Sequence, residues 1–161
     1  HDSKSKLTAS IDSPALDPIE EALRQNGWVL THIFNTHHHY DHTGANLELK
    51  KRWKCKIIGS EKDSDRIPGL DEGVNDQEIF SCGNNEVKVF DVSAHTIGHI
   101  SFYFPGEEQL FCGDALFALG CGRIFEGTPP QMWESLQKLE KLPNQTWILL
   151  PLHPQSSKYG Q

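Results

Sequence analysis

The chain has 161 residues, 37% of them hydrophobic, and a formal net charge of -7. That length is one domain's worth, and the acidity argues against nucleic acid or an anionic membrane surface as partner, since both need concentrated positive charge. No apolar run approaches a membrane span, and the polar opening His1-Asp2-Ser3-Lys4 has no signal-peptide core.

Cys55, Cys82, Cys112 and Cys121 form no C-x-x-C pair, so they read as reduced thiols of a cytoplasmic type of compartment, with a mitochondrial location as the variant. One domain over residues 1–161, acting as a monomer, is the expectation. The absent initiator methionine makes a fragment or a processed chain the expected origin.

Residues 7–11 alternate weakly as a strand and run into the turn Asp12-Ser13-Pro14. Asp17-Pro18-Ile19-Glu20 reads as a helix start, with Asp17 as cap and Glu20 reaching back, and Gly27 should end that helix. Ile19, Ala22 and Leu23 form its apolar stripe. A β-branched run over 29–34 delivers Thr36-His37-His38-His39-Tyr40-Asp41-His42 to a strand end. A second helix follows from Asn46 with Ala45, Leu49 and Trp53 inward, then a short strand over 56–59. Residues 60–73 read as a loop without assigned function. Segments 78–80 and 86–92 make a hairpin around Gly83-Asn84, leading to His95. Two further strands, over 100–104 and 110–112, end at Gly113-Asp114. Thr128-Pro129-Pro130-Gln131 opens the last helix with Met132, Leu136 and Leu139 inward, and an apolar strand over 147–150 precedes His153.

Chemistry concentrates in the histidine run. His37 and His39 are two apart, so on an extended segment both imidazoles leave one side, and Asp41 continues that parity while His42 breaks it. His38 points elsewhere on the same reasoning. His37, His39, Asp41, His42, His95 and Asp114 all follow strands, and loops beyond strand ends on one edge of a sheet are where distant side chains converge. This donor set is free of cysteine and larger than four, which suits two adjacent ions better than one structural zinc. Imidazole with carboxylate favours zinc, iron or manganese. Two such ions about 3.5–4 Å apart, bridged by Asp114 and a hydroxide, would cleave an ester-like bond.

The segments Thr36 to Gly44, His95-Thr96-Ile97-Gly98-His99 and Gly113-Asp114-Ala115-Leu116-Phe117 resemble the metal motifs of the metallo-β-lactamase superfamily. Gly120-Cys121-Gly122-Arg123 with Phe125-Glu126-Gly127-Thr128 resembles, more narrowly, glyoxalase II, the hydroxyacylglutathione hydrolases. The likeness covers about residues 9–146. It implies an α/β fold, an αββα sandwich of two mixed sheets, incomplete because the first strands and the C-terminal helical region of the family are lacking. It implies that His37, His39 and His95 hold one divalent ion, that Asp41 and His42 help hold the other, and that Asp114 bridges, with Asp41 and Asp114 as catalytic carboxylates. It implies substrate contacts from Arg123 and Phe125, and a supporting place for His99 behind the ligands.

The implied reaction is hydrolysis of S-D-lactoylglutathione to glutathione and D-lactate by metal-bound hydroxide. The family's late Cys-Gly-His-Glu-Tyr is replaced by Leu150-Pro151-Leu152-His153-Pro154, so His153 is displaced by one residue as a ligand of the second ion. A catalytically silent metal-binding fragment and a one-iron persulfide dioxygenase are the alternatives.

Overall fold

The computed structural model describes residues 1–151, so His153 lies outside the described residues. Two sheets pack face to face, each with helix on its outer side. The first sheet has the order β1 (Ala9–Ile11), β2 (His32–Phe34), β3 (Lys56–Ser60) and β4 (Glu72–Val74), and is parallel throughout. Parallel neighbours need crossovers, supplied by α1 (Leu16–Asn26) between β1 and β2 and by α2 (Tyr40–Thr43) with α3 (Asn46–Trp53) between β2 and β3. The second sheet is mixed: β5 (Ile79–Cys82), β6 (Asn85–Asp91), β7 (Ile100–Phe104) and β8 (Gln109–Phe111) run antiparallel, and β9 (Trp147–Leu149) adds in parallel to β8. Helix α4 (Pro129–Glu140) lies behind this sheet.

Each interface has its own apolar cluster. Leu23 and Leu49 meet Ile33 and Ile57 between helices and first sheet. Phe34, Ile58, Val89 and Phe102 fill the space between the sheets, where Phe34 and Phe102 have ring centroids 5.3 Å apart. Phe90, Tyr103, Leu110 and Leu139 join the second sheet to α4. A parallel sheet covered on both faces is the expected consequence of helical crossovers.

The elements form largely where sequence periodicity places them, with local differences. Asp17 and Pro18 lie inside the first turn of α1, whose N-cap is Ala15 without a side-chain cap. Proline is tolerated there because a first-turn N–H has no helical acceptor to lose. The inward stripe is Leu16, Ile19 and Leu23, and Ala22 is exposed. Gly27 ends the helix at φ 66, as expected. Residues 29–31 stay outside β2. The loop over 60–73 contains a 3-10 turn at Glu61–Asp63 and the start of β4, whose Glu72-Gly73 has little intrinsic strand preference and forms by pairing with β3. The capping box at Thr128 and Gln131 is present. Strand β9 forms at a sheet edge with all three side chains exposed. No helix among the described residues is long and apolar enough to cross a membrane.

Parallel strands direct all their C-terminal ends to one side. The loops after β1, β2 and β3 therefore leave a common edge, where the end of β6, the start of β7 and the end of β8 also lie by register. The Ile100 N–H donates to the Thr36 carbonyl at 2.9 Å and ties the two sheets there.

Phe34→Ala removes a fully buried ring from the inter-sheet layer and should cost about 3–5 kcal/mol. Thr128→Ala, which deletes only a cap, should cost about 1 kcal/mol. Denaturant midpoints at unchanged slope measure both, and equal effects would contradict this placement of the core.

Candidate metal centre

Three histidines converge first. The His37 Nε2 and His95 Nε2 atoms each lie 3.1 Å from His39 Nδ1. The edge of a tetrahedron around zinc, with Zn–N near 2.0–2.1 Å, is about 3.3 Å, so these nitrogens already stand close to ligand spacing. A second group joins His37 to His42 and Asp114, and within each group the ligand atoms lie within 4.8 Å of one another. Asp114 touches both, with Oδ1 3.2 Å from His42 Nε2 and Oδ2 3.5 Å from His95 Nε2.

Tautomers are set from outside. The His95 Nδ1–H donates to the Arg123 carbonyl at 2.7 Å, leaving Nε2 bare toward the site. The Thr36 hydroxyl donates to Asp12 Oδ2 at 2.9 Å and so accepts from His37 Nδ1 at 3.1 Å, which again leaves Nε2 bare. The Asp114 N–H donates to His99 Nε2 at 3.0 Å. His99 is fully buried, stacks on His37 with centroids 4.7 Å apart, and its Nδ1 has no hydrogen-bond partner among the described residues. It thus braces both the Asp114 backbone and the His37 ring. The adjacent Gly113, at φ 52, has no room for a side chain, since a Cβ would lie 2.7 Å from His99 and Thr36.

Asp12 carries more of this arrangement than its place in a turn sequence implies. Its Oδ1 accepts the Thr36 N–H at 2.8 Å, and its Oδ2 accepts the Thr36 hydroxyl and, at 2.7 Å, His42 Nδ1–H. Carboxylates behind ligating histidines fix their orientation and raise their basicity. Sequence reasoning missed Asp12 because the Pro14 nearby favoured a turn. Its position at the end of β1, beside the histidine loop on the neighbouring strand, was the available signal. Asp63, in the loop read as having no function, is likewise fully buried and accepts from His38 Nδ1 at 3.0 Å.

His37 and His39 do meet, but through a bend at Thr36 and His37 rather than by strand parity, and at Tyr40 the chain turns into α2. Asp41 and His42 are therefore helical neighbours rather than alternating strand residues. His42 is buried, whereas Asp41 is exposed, falls outside both ligand groups, and lines the same cavity as Asp12, Thr36 and His42. Arg123 and Phe125 form the rim: the guanidinium lies 5.1 Å over the Phe125 ring, and that ring meets His39 and His95 with centroids 5.4 and 5.2 Å away.

Charge divides the two groups. Burial lowers the pKa of His37, His39 and His95 below the ordinary value, aided by neighbouring histidines at His37 and His39, so the first group presents neutral imidazoles near neutral pH. Burial would also lower His42, but its hydrogen bonds to Asp114 and Asp12 outweigh that and raise it to about 10. Neutral imidazole is the metal-binding form, so the second group must release a proton before it takes a cation.

The metallo-β-lactamase superfamily description matches residues 7–149, and the chain belongs to that superfamily. It is 49% identical over 148 residues to the hydroxyacylglutathione hydrolase of Methylococcus capsulatus, an alignment covering 92% of this chain and 58% of that protein. It is 50% identical over 148 residues to the one of Brucella anthropi, covering 92% and 57%. The chain thus spans somewhat more than half the length of these curated relatives. Among solved structures, BLEG-1 B3 metallo-β-lactamase superposes with a TM-score of 0.82 at 23% identity, covering 92% of this chain and 82% of that one, a likeness of fold. ETHE1 from Myxococcus xanthus superposes at 0.81 with 28% identity, covering 92% and 66%.

A raised folded-state pKa contributes stability that is complete below the ordinary value and is lost as pH rises through the folded one. Metal-free protein should therefore lose stability from about pH 6.5 upward through His42, while the three depressed histidines act in the opposite sense below that range. Urea midpoints in chelator, taken between about pH 6.5 and 8.5, should fall for the unaltered protein and stay flatter for His42→Gln. Parallel slopes would refute the assignment.

Proposed function

We propose that the chain carries the binuclear metal centre of a hydroxyacylglutathione hydrolase that cleaves S-D-lactoylglutathione into glutathione and D-lactate. One observation carries this reading: two ligand groups share His37 and are spanned by the Asp114 carboxylate. The relatives' names, at 46–50% identity, support the substrate class.

The donors suit the metals proposed. Three ring nitrogens at near-ligand spacing would hold the first ion, and His42 and Asp114, joined by Asp41 from the shared cavity, would hold the second. Zinc, iron and manganese all accept such nitrogen and oxygen ligands. Bound there, divalent ions lower the pKa of water into the neutral range and polarise a carbonyl oxygen. His153 is kept as a further ligand for which the reading has no required place.

The chain's own residues bind and orient. Arg123 is exposed at the rim and supplies a cation for a carboxylate of the glutathione part, in a protein otherwise acidic. Phe125 offers an apolar wall beside His39 and His95 for the chain next to the thioester. Asp114 fixes the reacting centre between the two groups. Water adds to the thioester carbon and gives up its protons, and the carbon–sulfur bond breaks. The sulfur leaves with the electron pair and takes up one of those protons to become the glutathione thiol, the other going to solvent from the lactic acid. A persulfide dioxygenase works with one ion, so a second ligand group beside the first favours the hydrolase.

Metal-loaded protein should hydrolyse S-D-lactoylglutathione, followed by loss of thioester absorbance. Asp114→Ala should lower metal content and rate together, because one carboxylate serves both groups. A variant with unchanged metal content refutes the bridge, and metal-loaded protein without hydrolysis favours the silent metal-binding reading.

A further inference from the structure

His38 stands in the middle of the histidine run and takes no part in either ligand group. It begins a chain of contacts that the proposed hydrolysis does not use. Its Nδ1–H donates to Asp63 Oδ2 at 3.0 Å. The other Asp63 oxygen accepts from Arg66 Nη2 and Nε at 2.5 and 3.1 Å. Arg66 then reaches Glu126, with Nη1 2.6 Å from Oε1 and Nη2 3.2 Å from Oε2. Glu126 Oε2 also accepts the Ile97 N–H at 2.7 Å.

These residues come from different parts of the fold. Asp63 and Arg66 follow β3 of the first sheet, whereas Ile97 and Glu126 belong to loops leaving the second. The first ligand group is divided in the same way, with His37 and His39 after β2 and His95 after β6. Glu126 directly follows Phe125, whose ring abuts His39 and His95 and whose N–H donates to the His95 carbonyl at 3.2 Å. Gly98 closes the other side, because a Cβ there would collide with the Asp63 carboxylate. A fully buried carboxylate is costly unless paired, while the half-exposed Arg66–Glu126 pair contributes little to global stability. Such an arrangement makes poor sense as a stabilising device and good sense as an alignment device.

We propose that Asp63, Arg66 and Glu126 form a clasp across the rim that holds His39 and His95 at ligand distance from one another, and so act as positioning residues of the first metal group. The inference rests on the metal reading above and extends it to residues that touch neither metal nor substrate. Outer partners of metal ligands typically control affinity by about 10- to 100-fold, and that is the size expected here.

The test is a competition titration of zinc against a chromophoric chelator. It uses the wild-type protein, Arg66→Met, Glu126→Gln and the double variant, with the tight step assigned by its loss in His95→Gln. Each single variant should weaken the tight step by about 10- to 100-fold and leave the weaker step within about twofold. The double variant should lose no more than the worse single, as expected for residues acting as one unit. Glu126→Gln preserves shape and an acceptor for Ile97, so it carries the test by itself if Arg66→Met does not fold. Equal loss at both steps, an unchanged tight step, or additive losses in the double variant would overturn the clasp. Wild-type protein that binds no zinc would overturn the metal reading as well, whereas normal wild-type binding with unaffected variants removes the clasp alone.

Discussion

The Asp12 carboxylate is buried at the end of β1, where a charge is expensive unless its oxygens are satisfied. It is satisfied by the backbone and hydroxyl of Thr36 and by His42. Three consequences follow from that one set of bonds. The histidine loop is anchored to the neighbouring strand's end, His37 receives its tautomer through the Thr36 hydroxyl, and His42 is turned toward Asp114. Asp12 adopts φ 59, a left-handed conformation that aspartate tolerates better than most residues. Ser13 just beyond it donates its N–H to the His42 carbonyl at 2.7 Å, which Asn35 also reaches at 3.0 Å. The end of α2 is thereby held from two sides.

Above that anchor, the two ligand groups differ in charge before any metal arrives. The first is a set of neutral imidazoles, His37 and His95 buried and His39 partly so, with the Nε2 lone pairs of His37 and His95 turned inward. The second contains a histidine kept protonated by two carboxylates. An apo site of this form compensates its own carboxylates with a proton in place of a cation, which lets Asp12 and Asp114 stay buried together. Metal binding at the second group is then an exchange of cation for proton, and its affinity follows pH more steeply than that of the first.

Much of the site was legible in the sequence because it depends on short-range geometry. The two-residue spacing of His37 and His39 and the strand-end positions of His95 and Asp114 were enough to bring these residues together on paper, and the αββα layers, implied by the family resemblance, agree with the alternating strand and helix signals. What was not legible depends on tertiary partners. Asp12 reads as a turn residue until Thr36 and His42 are placed beside it. Asp63 sits in a polar loop whose composition suggests exposure, yet Arg66 and His38 bury it. Asp41 loses its strand parity because the chain becomes helical at Tyr40, where the local sequence contains no strong cap. The strand over Trp147, Ile148 and Leu149 is legible from its apolar run, but its exposed edge position is fixed only by pairing with β8.

The proposed centre places two ions in His37's neighbourhood with the Asp114 carboxylate between them. Anomalous diffraction from zinc-loaded crystals, collected on both sides of the zinc absorption edge, locates such ions directly. Two peaks about 3.5–4 Å apart are expected, one among His37, His39 and His95 and the other beside His42, with Asp114 between them. A single peak, or a second one remote from Asp114, would contradict the binuclear centre.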